Sequence, residues 1–273
     1  MQKIHIIFGS NSKQKQSCRK KFEQILEFNI NIFEEEICFQ ISITSQMIRL
    51  SELVPLARNI STQISLIIQR KLREENIAIP CRKGCNTCCS YLVPLSIPEA
   101  FRLREEVLSL AEDKRKQILS LSLSSAKEIL KNSPSGINLM DLSQLSHWYS
   151  NLGLECPFLE NSICSNYQQR PIACREYLAM DSNLPCNPQN EDNYNKVILP
   201  VSILECLGKL YAEFENENVE AIMLPLALPW AQENLDRDMK KWPAKETISR
   251  FIEIIKESCK EQEIICNKEL CKY

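Results

Sequence analysis

Glycine is scarce in this chain, five in 273 residues, and histidine scarcer, with two. So few glycines supply no glycine-rich loop that could cradle a phosphate with bare backbone N–H groups. Two histidines make no Ser-His-Asp set, and any metal site must be nearly all sulfur. His147, followed by Trp148 and Tyr149, reads as a surface or core residue. Charge of one sign is also missing: 33 Lys and Arg face 35 Asp and Glu, a net charge of −2. That balance argues against an extended surface for nucleic acid. Long apolar runs are absent too. The longest, "AIMLPLALPWA" at 221–231, is broken by Pro225 and Pro229, whereas a bilayer span takes about 20 apolar residues. The opening "MQKIHIIFGSNSKQKQ" has too short an apolar stretch for a signal peptide. A cytoplasmic location with no membrane span is therefore expected.

Cysteine is abundant: fourteen residues. In a reducing compartment that number favours metal binding or redox work over a disulfide framework. With 44% hydrophobic and 25% charged residues, the chain can bury a real core.

Residues 1–46 differ from the rest. They mix a basic stretch, the acidic run Glu34–Glu36 and scattered isoleucines without clear period, and read as a poorly defined extension. A cysteine-cluster domain is expected over 47–190, and a C-terminal helical region over 191–273, packed on the same domain. Ile60, Ile64, Ile67, Ile68 and Leu72 recur at helical spacing, ending near Asn76 before Pro80. Ser96 with Glu99 three residues later, and Pro98 between them, is a helix-start signature. Further helical stretches cover about 113–131, the segment after Pro200 with Leu204, Leu207, Tyr211 and Phe214 on one face, and the segment from Pro243 with Ile248, Phe251, Ile252 and Ile255. "KNSPSG" at 131–136 reads as a loop. The fold class expected is mainly α, with helices packed around an irregular cysteine-rich metal-binding core.

Two cysteine groups stand about 70 residues apart. "CRKGCNTCC" holds Cys81, Cys85, Cys88 and Cys89; the second group is Cys156, Cys164, Cys174 and Cys186. Folding that joins two such groups is how a thiolate metal site ties distant loops together. The first group would share one stripe if helical. If it turns at Gly84, Cys85 and Cys88 form a C-x-x-C knuckle. Adjacent residues rarely ligate one small ion together, so Cys88 and Cys89 imply either one ligand with a neighbour or a site large enough for both. In the second group, Pro171 would start a helix and place Cys174 in its first turn, where the dipole favours a thiolate. Arg170 and Arg175 would offset the charge of a thiolate shell, or Arg170 would simply bond backbone carbonyls. Tyr167, Tyr177 and Phe158 could wall the site from water.

In order, "CRKGCNTCC", "CPFL" and "C-x-x-Y-x-x-RP-x-x-CR-x-Y", with "PLSIPEAFRL" after the first cluster, resemble the CxxCxxCC family of zinc- or iron-chelating domains, also called the YkgJ cysteine-cluster family. The resemblance covers about 80–180. It implies metal or iron–sulfur binding, and carries over to Cys81, Cys85, Cys88, Cys89, Cys156, Cys164 and Cys174. Cys186 lies outside it. All-sulfur shells suit both zinc and an iron–sulfur cluster; the surplus of thiols and the adjacent pair favour the cluster. The partner expected is the metal ion or cluster; no protein partner is named by the sequence.

Elsewhere blander readings hold. Cys18, Cys38, Cys206, Cys259, Cys266 and Cys271 read as small buried hydrophobes. Glu99 reads as a helix cap, and Trp230 and Trp242 as packing between C-terminal helices. Two further function classes stay open. Flagellin lysine-N-methylases carry a similar cysteine segment, so a cluster-containing enzyme is one. A zinc-stabilised protein-interaction module is the other.

Overall fold

The computed structural model describes residues 4–8, 24–32, 35–134, 142–180 and 197–268. Helices dominate these residues: α1 (Val54–Glu74), α2 (Ile97–Leu108), α3 (Glu112–Lys131), α4 (Leu142–Asn151), α5 (Ile172–Glu176), α6 (Ile203–Glu215), α7 (Leu224–Glu233) and α8 (Ala244–Lys268). The protein is mainly α. None of the described helices is long and apolar enough to cross a membrane.

The region 1–46 contributes β1 (Ile4–Phe8), β2 (Gln24–Ile32) and β3 (Glu35–Ile43), an antiparallel sheet in the order β1-β3-β2. A period-two alternation explains it: Ile30 and Ile32 on β2, and Phe39, Ile41 and Ile43 on β3, are buried and join the common core. Cys38, on the other face of β3, is a free thiol of intermediate exposure rather than a buried one. Three short two-stranded ladders complete the described strands. β4 (Met47–Ile48) pairs with β9 (Trp242–Pro243), β5 (Pro94–Ser96) with β8 (Ala221–Met223), and β6 (Leu159–Glu160) with β7 (Ile163–Cys164).

α1 is the central helix. It begins at Val54, six residues before the recurring isoleucines, because Pro55 sits well in a first turn. Ile60, Ile64, Ile68 and Leu72 face inward. α5 and α6 pack on α1, and α2 packs on α6 and α7. Ser96 and Glu99 form the expected capping box at the start of α2. Ser202 caps α6, its hydroxyl accepting from the N–H of Glu205. Phe251 of α8 is fully buried among the aliphatic side chains. α4 and α7 were not evident in the apolar periodicity; α7 carries Pro225 in its first turn and Pro229 inside it.

The packing centre is thus aliphatic and aromatic. The cysteine-bearing segments lie at its edge, packed against it while half-exposed. Trp242, on β9 just before α8, stacks edge-on against Phe214 of α6, 4.9 Å between centroids. Trp230 instead meets Phe101 of α2 at 5.4 Å. Cys206 and Cys259 are buried, His147 is exposed, and Cys18, Cys186, Cys271 and the side chain of Cys266 lie outside the described residues.

Candidate metal centre

The first cysteine segment follows α1 as a turn, not a helix. Gly84 takes φ +94°, where an L side chain is strained, and the N–H of Cys85 closes on the carbonyl of Arg82 at 3.0 Å. Thr87–Ser90 then makes one 3-10 turn carrying Cys88 and Cys89. The second segment is built on the β6–β7 hairpin. Asn161 and Ser162 at its tip both take positive φ, as a two-residue hairpin requires. Cys164 ends β7, and Cys156 precedes β6.

One backbone bond ties the two groups directly: the N–H of Cys156 donates to the carbonyl of Cys89 at 2.8 Å. The N–H of Ala179 donates to Cys81 Sγ at 3.3 Å. All seven cysteines carried over from the family motif, Cys81, Cys85, Cys88, Cys89, Cys156, Cys164 and Cys174, line one cavity of about 330 Å³. Phe158, Tyr167 and Tyr177 also line it, and Tyr91 packs edge-on against Tyr177 at 5.7 Å. Every described cysteine is a free thiol. Among the described residues, no three Cys, His, Asp or Glu side chains are grouped closely enough to hold a metal ion as they stand. A shared metal therefore needs thiols turned further into the cavity.

Cys174 sits on α5, a single turn started by Pro171 as expected. Burial raises its thiol there. The N–H of Ile172, at the head of that turn, donates to Glu99 Oε1 at 2.9 Å. The second oxygen of Glu99 accepts from Ser96 N and Ser96 Oγ. One fully buried carboxylate therefore caps α2 and fixes α5. At the other end, Glu176 accepts from Ser202 Oγ at 2.9 Å and Ile203 N at 2.7 Å, tying α5 to α6. Burial pushes the Glu176 carboxyl up to about 7.

Burial likewise raises the thiols. It pushes Cys156 up to about 12, and raises Cys174, Cys81 and Cys164. Cys88 is raised first by its hydrogen bond with Cys89 and then by burial. The positive charge of Arg170 works against that rise at Cys81, Cys88, Cys164 and Cys174. Arg170 stacks on the Tyr167 ring, 4.1 Å from its centroid. It is Arg175 that bonds carbonyls, donating to Arg170 O at 3.1 Å and Gln168 O at 2.6 Å, and also to Thr62 Oγ1 at 2.7 Å. Thr62 and Ser65 of α1 complete the wall; no sequence signal marks them, since on α1 they read as ordinary polar residues of a helix.

A cavity walled by free thiols, aromatic rings and guanidinium groups is a cysteine-cluster site, with soft sulfur donors suited to zinc and iron. Residues 80–197 match the CxxCxxCC family model, described as "Putative zinc- or iron-chelating domain". No curated protein and no solved structure matches the chain.

Proposed function

We propose that the protein binds iron, as an iron–sulfur cluster, or zinc, through thiolates drawn from Cys81, Cys85, Cys88, Cys89, Cys156, Cys164 and Cys174. The observation that carries the reading is the single cavity lined by all seven, from segments far apart in sequence. Seven thiols exceed the four of a closed tetrahedral shell, which favours a polynuclear cluster over one ion. The unit that holds the metal spans 47–190, with the helices of 191–273 packed on it. A cytoplasmic setting fits, because it keeps thiols reduced and able to ligate. Bound metal would draw the protons off thiols that burial now keeps protonated, so its affinity rises with pH.

The test is a Cys→Ser series. Single changes at Cys81, Cys85, Cys88, Cys156, Cys164 and Cys174 should lower the metal bound per chain, with Cys89 the residue whose role the series decides. C206S and C259S, at buried thiols outside the cavity, should keep it. Equal loss at cavity and control positions would show that the cavity does not define the site.

A further inference from the structure

The lining of the cysteine cavity has an unusual charge for a metal site. Three arginines line it, Arg82, Arg170 and Arg175, and among the described residues no Asp, Glu or His does. None of the three is in an ion pair among the described residues. Arg175 bonds two carbonyls and a hydroxyl, all of them uncharged acceptors. Arg170 stacks on Tyr167, and its buried Nε has no hydrogen-bond partner. Arg82 and its neighbour Lys83 are exposed on the first cysteine loop, at the cavity's edge. The carboxylates nearest α5, Glu99 and Glu176, do not line the cavity; they hold the N–H groups of Ile172 and Ile203.

A guanidinium keeps its charge at any ordinary pH, and the lining supplies no carboxylate to set against it. Before loading, then, the cavity presents positive charge. It repels a hydrated divalent cation and attracts an anion. We propose that the cavity receives its metal as a small anionic complex, with the metal already held by carboxylate or thiolate groups, and not as the free hydrated ion. The proposal rests on the metal-binding reading above and names the form of the substrate. The transfer is a ligand exchange. Each cysteine thiol forms a metal–sulfur bond as a metal–carrier bond breaks, and its proton leaves with the released carrier group or to water. No electron moves. A cavity of about 330 Å³ is in the size range of small-molecule pockets and has room for the carrier during exchange. After transfer the same guanidinium groups face an anionic thiolate shell and offset it.

The sign of the salt dependence tests this. Full-length metal-free protein is mixed with zinc sulfate or with the anionic zinc–nitrilotriacetate complex, and the rate of zinc capture is followed. Raising the ionic strength from about 0.02 to 0.3 M shortens the screening length several-fold. Capture from the anionic complex should slow by about fivefold, and capture of the hydrated ion should hold or quicken. R170Q should remove most of the salt effect. R82Q, on an exposed loop where folding is not at stake, should remove part of it. Capture from the anionic complex that is no faster at low salt, or hydrated zinc that loads faster at low salt, would overturn the inference while leaving metal binding intact. Zinc captured from neither source would instead remove the metal-binding reading, and this inference with it.

Discussion

Replacing Glu99 probes how the fold holds the cysteine site. Glu99 is fully buried and accepts three hydrogen bonds: from Ile172 N at 2.9 Å, Ser96 N at 3.3 Å and Ser96 Oγ at 3.2 Å. In E99A the N–H groups of Ile172 and Ser96 lose their acceptor in a place water reaches poorly. An orphaned buried donor costs roughly 1–3 kcal/mol, so the two together cost about 4 kcal/mol. E99Q keeps the shape and one acceptor oxygen, and should cost about half as much. Urea unfolding of the full chain, followed by far-ultraviolet circular dichroism, reads both values. The effect should also reach the site, since Cys174 lies two residues beyond Ile172 on the same short turn. Metal affinity should fall in the order wild type, E99Q, E99A. If E99A unfolds within about 0.5 kcal/mol of wild type, the span expected of surface changes, the clamp between α2 and α5 does not hold the structure.

Three other outcomes are expected. E106A should cost about 3–5 kcal/mol, because Arg58 is 4% exposed and Glu106 receives it at 2.8 and 2.9 Å; the joint change R58M/E106L should cost much less. G84A should destabilise the first cysteine loop by roughly 1–2 kcal/mol through backbone strain alone, since φ is +94° and nothing lies within 4 Å of the added methyl. Burial pushes the Asp238 carboxyl up to about 6, against the pull of Arg49, so the folded state holds this proton more tightly than the unfolded state. Its contribution to stability is fully present below the ordinary aspartate range and is lost, by roughly 3 kcal/mol, as pH rises from about 4 to 6. The difference in urea midpoint between wild type and D238N over that range measures it.

Much of the helical frame was legible. The capping box at Ser96 and Glu99, the isoleucine stripe of α1 and the proline start at Pro171 are local signals, and local geometry obeyed them. The sheet of 1–46 was not read, although Ile30, Ile32, Phe39, Ile41 and Ile43 alternate. Polar and charged residues on the opposite row obscured that alternation beside the acidic run. α7 was missed because its two prolines read as breaks, while one sits in the first turn and the other is carried inside the helix. Of the residues that line the cavity, the seven motif cysteines, Phe158, Tyr167 and Tyr177 can be named from the sequence. The reach of Glu99 across to Ile172 was not legible, because a cap is a local reading and this bond spans 73 positions in sequence. The roles of the two arginines were likewise interchangeable in sequence. Only packing shows that Arg175 binds carbonyls of the loop, while Arg170 lies on Tyr167 with its charge toward the thiols.

The central claim, that the cysteine cavity is a metal site, is tested most directly by the metal and acid-labile sulfide content of the full-length protein purified without oxygen, with its visible spectrum. The account predicts iron with sulfide in a coloured protein, or zinc in a colourless one, in either case lost on Cys→Ser change at Cys88 or Cys156. Protein that carries neither metal, and takes up neither when iron with sulfide or zinc is supplied under reducing conditions, would contradict it.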